Sequence, residues 1–498
     1  MRHQKIKLTI LSTIVLLGNL GMIENSYALP AFPGAEGQGA STVGGRGGTV
    51  YKVTNLNDSG PGSLRAAVET SGPRIVVFDV SGYINLSSEL VVSNPYITIA
   101  GQTSPGGIAV TGWQTRINNT HDVIITHMRF RPGSHGQGVI DPDSVHAFIT
   151  DGGNNPVYNV ILDHCSFSYG IDETIDVAYD AHDITFSWNI IGPGLANAGH
   201  SEGGHSAGLI FWGKYANPNQ IVTAHHNFFP NNHFRDPEIG SGVTADLRNN
   251  VAYNWDGSLS PQFNHPNDNG GGPHSFMNFI HNYSKAGPDS NSCASGYSSE
   301  MFFCDSLDPQ GKCHAQESNA YPAIYYQGNM GCARTSQSDP QWRIITGWSP
   351  FNLLLTSWQA ESPFPVNDIP VTTTEMSSAY ATEIVASVGA TKPARDTIDS
   401  QLAVDFLNGT ELQKPLNVVY PNDFPTFNTS PVPSDSDNDG MADNWENSNG
   451  LNVGINDSSS DINGNGYTNI EEYLNFLAGY SELFDTIPPT EPSGLSVY

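Results

Sequence analysis

The chain has 498 residues, enough for one large domain and a small one, and its formal net charge is −29 at pH 7. This charge argues against nucleic-acid binding, which requires basic surfaces that displace counterions. An anionic sugar would likewise need local positive charge, from a few basic side chains or from a bound cation. On charge alone, the preferred explanation is an acidic surface that only keeps the protein soluble.

The first 28 residues are predicted to be a signal peptide. A basic patch over residues 2–7 precedes an apolar run over residues 8–17, and Ser26-Tyr27-Ala28 offers a cleavage site between small residues. No later segment approaches the roughly 20 apolar residues that span a bilayer. We therefore expect a secreted protein, cleaved near Ala28, without a membrane span.

Short β-rich runs then recur between Gly, Asn, Asp and Pro residues. The runs cover residues 97–99, 123–126, 160–162, 184–186, 222–223 and 245–247. The residues that follow them form an aligned column of Met128, Cys165, Asn189, Asn227, Asn250 and Asn282. A base period of about 24 residues with longer excursions is typical of stacked coils with inserted loops.

Stacking is required because one such coil cannot bury its own apolar face. The four Asn residues of the column are expected to form a ladder of side-chain amides, at a bend whose left-handed backbone Asn tolerates. The alternative is a β-sandwich with Asn-rich turns.

The C-terminal third differs in character. Two helices are predicted near residues 377–386 and 399–407, packed on the end of the coil stack. The large domain should then span residues 29–420, followed by a Pro/Thr/Ser-rich linker at 421–434 and a small acidic module at 435–484. Residues 485–498 resemble the opening strand of a fibronectin type III domain or form a linker.

The five cysteines divide into two groups. Cys165 lies in an apolar run and is predicted to be a buried thiol. Cys293, Cys304, Cys313 and Cys332 cluster in one loop region and predict two disulfides with three possible pairings, given an exported protein. A zinc site is the alternative, although the cluster lacks a CxxC pair.

Four aspartates form a candidate metal site. Asp141 and Asp143 follow column residue Met128, and Asp172 and Asp176 follow Cys165. If the coils stack, both pairs emerge beyond the same turn, where carboxylates crowded together would suit Ca²⁺. Solvated loop aspartates are the alternative.

Arg235 follows Asn227 and should reach the same face as these aspartates. A guanidinium beside a cation site can bind a uronate carboxylate through two hydrogen bonds. The alternative is a structural ion pair with Asp236 or Glu238.

Two segments of the acidic module match the EF-hand calcium loop. The first supplies Asp435, Asp437, Asp439, Asp443 and Glu446. The second supplies Asp461, Asn463, Asn465 and Glu472, with Asn469 at its ninth position. Two matches so close together predict calcium binding, with no catalytic role because the metal occupies the ligands.

Several motifs resemble secreted bacterial and fungal pectate lyases. They lie at residues 31–37 (AFPGAEG), 44–48 (GGRGG), 53–59 (VTNLNDS), 62–65 (GSLR), 99–103 (IAGQT) and 162–168 (LDHCSFS). The resemblance runs from about residue 31 to 408 and implies an all-β, right-handed parallel β-helix and calcium-dependent β-elimination of polygalacturonate. The acidic module resembles thrombospondin-type-3-like calcium repeats.

The resemblance also implies residue roles. Asp141 and Asp143, with Asp172 and Asp176, match the family's calcium ligands, and Arg235 matches its catalytic Arg, which removes the C5 proton. An electrostatic role for Arg235, with a histidine or water as base, is the other interpretation, because the pKa of arginine exceeds about 12.

The chain also departs from the family pattern. Gly240 stands where the family has a second Arg. The family's substrate-binding Lys has no clear match, and Lys214, His200 and His205 are the candidates.

The predicted partner is an acidic polysaccharide, pectate or a related uronate polymer, acted on by a monomer. Three other functions compete with pectate lyase activity. They are lyase activity on another uronate polymer, glycoside hydrolysis by paired carboxylates without a metal, and carbohydrate binding without turnover.

Overall fold

The structure, a computed structural model, describes residues 29–134, 146, 148–151, 155–201, 205–213, 220–240, 242–255, 275–290, 323–332, 334–341, 359–365, 368–411, 415 and 417–480. The predicted signal peptide, the segment 485–498, Asp141, Asp143 and Lys214 lie outside these residues. None of the described helices is long and apolar enough to cross a membrane.

The described strands form three parallel sheets of ten, six and eight strands. The first contains β1 Thr49–Val53, β2 Arg74–Phe78, β5 Ile97–Ala100, β8 His121–Thr126, β11 Tyr158–Asp163, β14 Ile184–Ser187, β17 Gln220–His225, β20 Val243–Arg248, β22 Phe276–Ile280 and β24 Ala323–Gln327. The second contains β4 Leu90–Val92, β7 Thr115–Asn118, β10 Phe148–Asp151, β13 Glu173–Tyr179, β16 Ala207–Gly213 and β19 Glu238–Ile239. The third contains β3 Gly82–Asn85, β6 Ile108–Thr111, β9 Arg129–Arg131, β12 Ser166–Phe167, β15 Ile190–Ile191, β18 Phe228–Pro230, β21 Val251–Tyr253 and β23 Tyr283–Lys285.

The coils from β2 to β20 each contribute one strand to each sheet. The chain passes from β11 in the first sheet to β12 in the third, then to β13 in the second and back to the first at β14. Consecutive coils pair in parallel, as β11 does with both β8 and β14. This architecture confirms the predicted parallel β-helix, and the β-rich runs of the sequence are the strands of the first sheet.

The core lies inside the coils. Alternate residues of each strand point inward, so Val160 and Leu162 stack on Ile184 and Phe186 of the next coil, and all four are fully buried. Because every coil repeats this arrangement, the interior is a continuous apolar column that no single coil could bury.

The predicted amide ladder is present at the turn between the first and third sheets. Asn189 Nδ2 donates to Asn227 Oδ1 at 3.0 Å, and the same contact continues through Asn250 and Asn282 to Asn329. Asn329 extends the ladder one coil beyond the predicted column. The left-handed residue is the one before each ladder position, such as Trp188 with φ 55°, rather than the Asn itself.

Five helices lie outside the coils in the described part of the chain. They are α1 Leu64–Glu69, α2 Ser378–Ser387, α3 Thr397–Asn408, α4 Asp443–Asn449 and α5 Asn469–Ala478. The predicted helices α2 and α3 pack on the side of the third sheet, against Ile190, Phe228 and Val251, rather than on the end of the stack. This position follows from the outer face of the third sheet, which is apolar and needs a cover.

The acidic module packs on the outer face of the first sheet. One apolar cluster joins Ile75, Val77 and Ala100 of the β-helix to Met441, Ala442, Leu451, Ile470, Tyr473 and Leu474 of the module. Two ion pairs border it, Arg46 with Glu471 at 2.9 Å and Lys52 with Asp435 at 2.7 Å. The module therefore shares a core with the large domain.

Cys165 is a free and fully buried thiol, as predicted. Burial raises the pKa of this thiol far above its ordinary value, which keeps it unreactive. Of the clustered cysteines, Cys332 is disulfide-bonded, and the other three lie outside the described residues.

Candidate functional site

The candidate site lies on the loops that lead from the third sheet into the second. Asp172 immediately precedes β13, His205 lies just before β16, and Arg235 lies just before β19. Since β13, β16 and β19 are neighbours in the second sheet, coil stacking brings these loops together.

Arg235 is held by two carboxylates. Its Nη1 pairs with Glu173, its Nε lies 2.5 Å from Glu238 Oε2, and its guanidinium lies 4.8 Å from the Phe234 ring centroid. The Glu238 side chain is 1% exposed and that of Arg235 is 21% exposed. Glu173 and Glu238 therefore fix the orientation of the guanidinium, and part of the Arg235 side chain remains exposed to solvent.

The backbone at Arg235 is unusual. Its φ is 66°, in the left-handed region that is uncommon for residues other than Gly, and Ser206 on the neighbouring loop has φ 82°. Hydrogen bonds from Gly208 N to Phe234 O and from Leu209 N to Arg235 O hold the loop in place. Backbone strain of this kind persists where the surrounding structure fixes it, which is frequent at functional sites.

Asp172 is surrounded by imidazoles. His205 Nε2 and His200 Nε2 lie 3.1 Å and 3.4 Å from Asp172 Oδ1, and the two rings stack with centroids 3.9 Å apart. Burial alone would raise the pKa of Asp172, but the His205 hydrogen bond and the nearby imidazoles lower it below its ordinary value. Asp172 is thus an anionic carboxylate held in a fixed orientation.

His146 connects this carboxylate to the Arg235 group. Its Nε2 lies 3.9 Å from Asp172 Oδ2 and its Nδ1 lies 3.4 Å from Glu173 Oε2. Burial lowers the pKa of His146 to about 4, so it is neutral at pH 7. Sequence reasoning did not single out His146, although it follows Asp143 in the same loop.

The structure brings some of the predicted site residues into contact. Asp172 contacts His200 and His205, and the adjacent Glu173 contacts Arg235. Asp176 lies further along β13, opposite Ile210, whose own partner on β19 is Glu238.

Oxygen donors such as the Asp172 carboxylate fit Ca²⁺. Imidazole nitrogens fit transition metals better, and His200 and His205 point theirs at Asp172 instead. The other two predicted calcium ligands, Asp141 and Asp143, and the candidate Lys214 lie outside the described residues.

Gly240, where the family resemblance implies a second Arg, is closely packed. Its N–H donates to Phe211 O at 2.7 Å, and a Cβ added to Gly240 would lie 2.8 Å from that same oxygen. A long side chain here would require the backbone to shift, so Arg235 has no second guanidinium at this position.

The first calcium-type loop of the acidic module contains carboxylates without partners. Glu446 and Asp439 are fully buried, and among the described residues no hydrogen bond reaches either Glu446 oxygen, either Asp437 oxygen or Asp439 Oδ2. Burial, together with the neighbouring carboxylates, raises the pKa of Glu446 to about 7 and that of Asp439 to about 6. Such a donor set fits a hard divalent cation.

Two other residues of this loop already have partners. Asp435 accepts hydrogen bonds from the N–H groups of Asp439 and Gly440, and Asp443 accepts from Ser436 N and Oγ at 2.7 Å and 2.8 Å. Asp439 Oδ1 likewise accepts a hydrogen bond from Met441 N at 3.0 Å. These contacts shape the loop around the remaining oxygens of Asp437, Asp439 and Glu446, which have no partner among the described residues.

The second loop is held by its own side chains. Glu472 Oε1 accepts hydrogen bonds from Asn463 Nδ2 at 3.0 Å and from Asn465 Nδ2 at 2.6 Å. Asp461 accepts from the N–H groups of Gly464 and Gly466. The carboxylates of this loop therefore have donors within the loop.

Comparison with known proteins identifies long relatives. The chain is 33% identical over 471 residues to the probable pectate lyase C of Aspergillus terreus, a match that covers 93% of this chain and 98% of the relative. It is 34% identical over 476 residues to the probable pectate lyase C of Emericella nidulans, covering 94% and 97%. No family model matches the chain.

Among solved structures, the major allergen from cedar pollen, Jun a 1, superimposes with a TM-score of 0.48 at 18% identity, covering 71% of this chain and 92% of the allergen. The family assignment comes from the sequence relatives, which share about one third of their residues with this chain along nearly their whole length. The chain belongs to the pectate lyase family.

Proposed function

We propose that the protein is a secreted, calcium-dependent lyase that cleaves pectate by β-elimination. The relatives' names supply the substrate class, and the observation that carries the proposal is the fixed, partly exposed Arg235 beside the anionic Asp172 cluster. Arg235 supplies a positive charge beside three carboxylates, those of Asp172, Glu173 and Glu238. An anionic polymer bound here would therefore also need a cation to offset the carboxylates.

The reaction requires a proton to leave C5 of a uronate and the C4–oxygen bond to break. A C4–C5 double bond forms, the leaving oxygen takes up a proton, and water is not consumed. Calcium, which the resemblance assigns to Asp141, Asp143, Asp172 and Asp176, would neutralise the uronate carboxylate and make the C5 proton more acidic. The chain's own residues must hold the sugar and handle the proton.

Arg235 is the proposed catalytic residue. Its contacts with Glu173 and Glu238 stabilise the charged guanidinium, so they favour the role in which Arg235 stabilises the negative charge that develops when C5 loses its proton. Among the described residues its Nη2 donates no hydrogen bond, which leaves a donor for the substrate. In this role His200, His205 or a water accepts the proton.

Substrate binding is proposed for His200, His205 and Lys214. The two histidines stack beside Asp172, and His205 also packs against Phe234, the ring under Arg235. A sugar bound over Arg235 would therefore meet these imidazole edges. The second Arg that the resemblance implies is replaced by Gly240, so the contacts to the sugar differ from the family pattern. The uronate polymer that binds best must therefore be determined by assay.

The acidic module is proposed to bind calcium as well. The support is the first loop, where Asp437, Asp439 and Glu446 have unpartnered oxygens in the described part of the chain. Asp439 lies within 4.8 Å of the oxygens of Asp435 and Asp437 in one group and of Glu446 and Asp457 in another. Burying several carboxylates without a cation is costly, and Ca²⁺ compensates for this cost with oxygen ligands.

The proposal is tested by ultraviolet absorbance of unsaturated product on a panel of uronate polymers, with and without chelator. We expect product from pectate that disappears with chelator and returns with added calcium. New reducing ends without absorbance would identify a hydrolase instead. Polymer binding without any product would identify a non-catalytic binding protein. Faster product release from another uronate polymer would identify that polymer, rather than pectate, as the substrate.

A further inference from the structure

The two calcium-type loops of the acidic module match the same pattern but differ in what surrounds their final Glu. In the second loop the amides of Asn463 and Asn465 donate to Glu472. In the first loop the same two positions are Asp437 and Asp439, which cannot donate to Glu446 when ionised. The amides of the second loop thus occupy the place that a cation would take in the first.

In the first loop, the negative charge of Glu446 is not offset by any hydrogen-bond donor among the described residues. Glu446 is 0% exposed, and neither of its oxygens has a hydrogen-bond partner in the described part of the chain. A carboxylate that is buried without a partner strongly destabilises the folded state. The unpaired negative charge therefore points to a divalent cation at this loop.

A residue outside both motifs completes the first site. Oxygens of Asp439, Glu446 and Asp457 lie within 4.8 Å of one another, and Asp457 belongs to the segment that leads into the second loop. The side chain of Asn469, the first residue of α5, donates to Asp457 O at 3.0 Å and to its Oδ1 at 3.2 Å. The second repeat thus contributes a carboxylate and the helix that orients it.

The same site is tied to the β-helix. Lys52 of β1 donates to Asp435 Oδ2 at 2.7 Å and pairs with Asp79 at 3.3 Å. At Gly440 the loop backbone approaches so closely that an added Cβ would lie 2.7 Å from Val50 Cγ1. An ordered first loop is therefore needed for contact with the first sheet.

We propose that the acidic module holds one divalent cation centre, formed by Asp437, Asp439 and Glu446 of the first repeat and Asp457 of the second. Its occupancy orders the loop that docks on β1 and β2, so calcium stabilises the lyase domain from a site remote from Arg235. The ligand chemistry, carboxylates only, selects a hard cation such as Ca²⁺. This inference refines the calcium binding proposed for the module and assigns the second loop a structural role.

The test uses the full-length protein after removal of metals. Calcium titration calorimetry gives the stoichiometry, and scanning calorimetry gives the unfolding midpoint with and without calcium. We expect E446Q to lose one calcium per chain and the calcium-dependent rise in midpoint contributed by that site. The matched variant E472Q should keep both, since the amides of Asn463 and Asn465 can rearrange around a neutral Gln.

A second variant, D457N, should weaken calcium binding at the module by at least tenfold while keeping the fold, because Asn has the same shape as Asp. Equal losses of one calcium in E446Q and E472Q would overturn the single-centre assignment. Unchanged calcium binding in both E446Q and D457N would overturn the site itself. Product release from pectate is recorded in parallel, so a protein without lyase activity still gives a decisive result here.

Discussion

The candidate site around Arg235 and the acidic module each gather carboxylates, yet their surroundings differ. In the candidate site, Asp172 is paired with histidines and Glu173 is paired with Arg235. In the module, Glu446 and Asp439 are buried with unpartnered oxygens. The comparison shows that the role of a carboxylate depends on its partners. A carboxylate paired with a cationic side chain can position that side chain for a substrate, whereas a buried carboxylate without a partner requires a bound cation.

The largest effect is expected from Arg235→Lys. A Lys cannot bridge Glu173 and Glu238 with a planar fork, so kcat on pectate should fall by roughly 10²–10³-fold, the range for loss of a group that stabilises developing negative charge. Steady-state kinetics measure this. Arg248→Lys, whose ion pair with Asp246 lies in the first sheet, is the matched control and should stay near wild type.

Two other kinetic results for Arg235→Lys would assign the residue a different role. A raised KM with kcat within about tenfold would mean that Arg235 only binds the uronate. Unchanged kcat and KM would identify a structural ion pair, and the active face would then have to be sought around His200, His205 or Lys214.

The next largest effect is expected from Asp172→Asn. The substitution removes the charge that His200 and His205 share, so activity at low calcium should fall by at least about tenfold and recover in part with added calcium. Kinetics over a calcium series measure this. Asp183→Asn serves as control, because Asp183 pairs with His182 just before β14. A loss that calcium never relieves would remove Asp172 from the metal site.

Deleting residues 435–498 should lower the free energy of unfolding by several kcal/mol. The deletion exposes Ile75 and Val77, and each such side chain contributes about 1.5–3 kcal/mol when buried. Denaturant unfolding measures the change, and a control that lacks only residues 485–498 keeps these contacts. An unchanged midpoint would show that the module is independent of the β-helix.

A smaller effect is expected from Lys52→Met, which removes the ion pair with Asp435 and should cost about 1 kcal/mol. Burial alone would lower the pKa of Lys52, but the contacts with Asp435 and Asp79 raise it above its ordinary value. The contribution is therefore complete at neutral pH and is lost as the pH rises through the raised pKa. Unfolding midpoints of the two proteins should converge at alkaline pH, and a constant difference would contradict the ion-pair explanation.

The coil repeat could be predicted from the sequence because each β-rich run and the Asn that follows it are close together along the chain. Asn189, Asn227 and Asn250 follow their β-rich runs at similar distances, so the column, the sheet and the ladder could be predicted together. Asn329 was missed because a long excursion separates it from Asn282 along the chain. The position of α2 and α3 was also missed, since it depends on which outer face of the coils is apolar.

What the sequence determined by itself was the set of groups able to bind a cation or a uronate, because residue type and spacing fix which donors a loop can offer. The tertiary structure alone decided their partners. Glu238 reaches Arg235 through a left-handed turn, and Lys52 reaches Asp435 from the opposite end of the chain. Electrostatic energy depends on distance in space, so the charges that stand beside Arg235 and Asp435 are decided only when folding brings distant segments together.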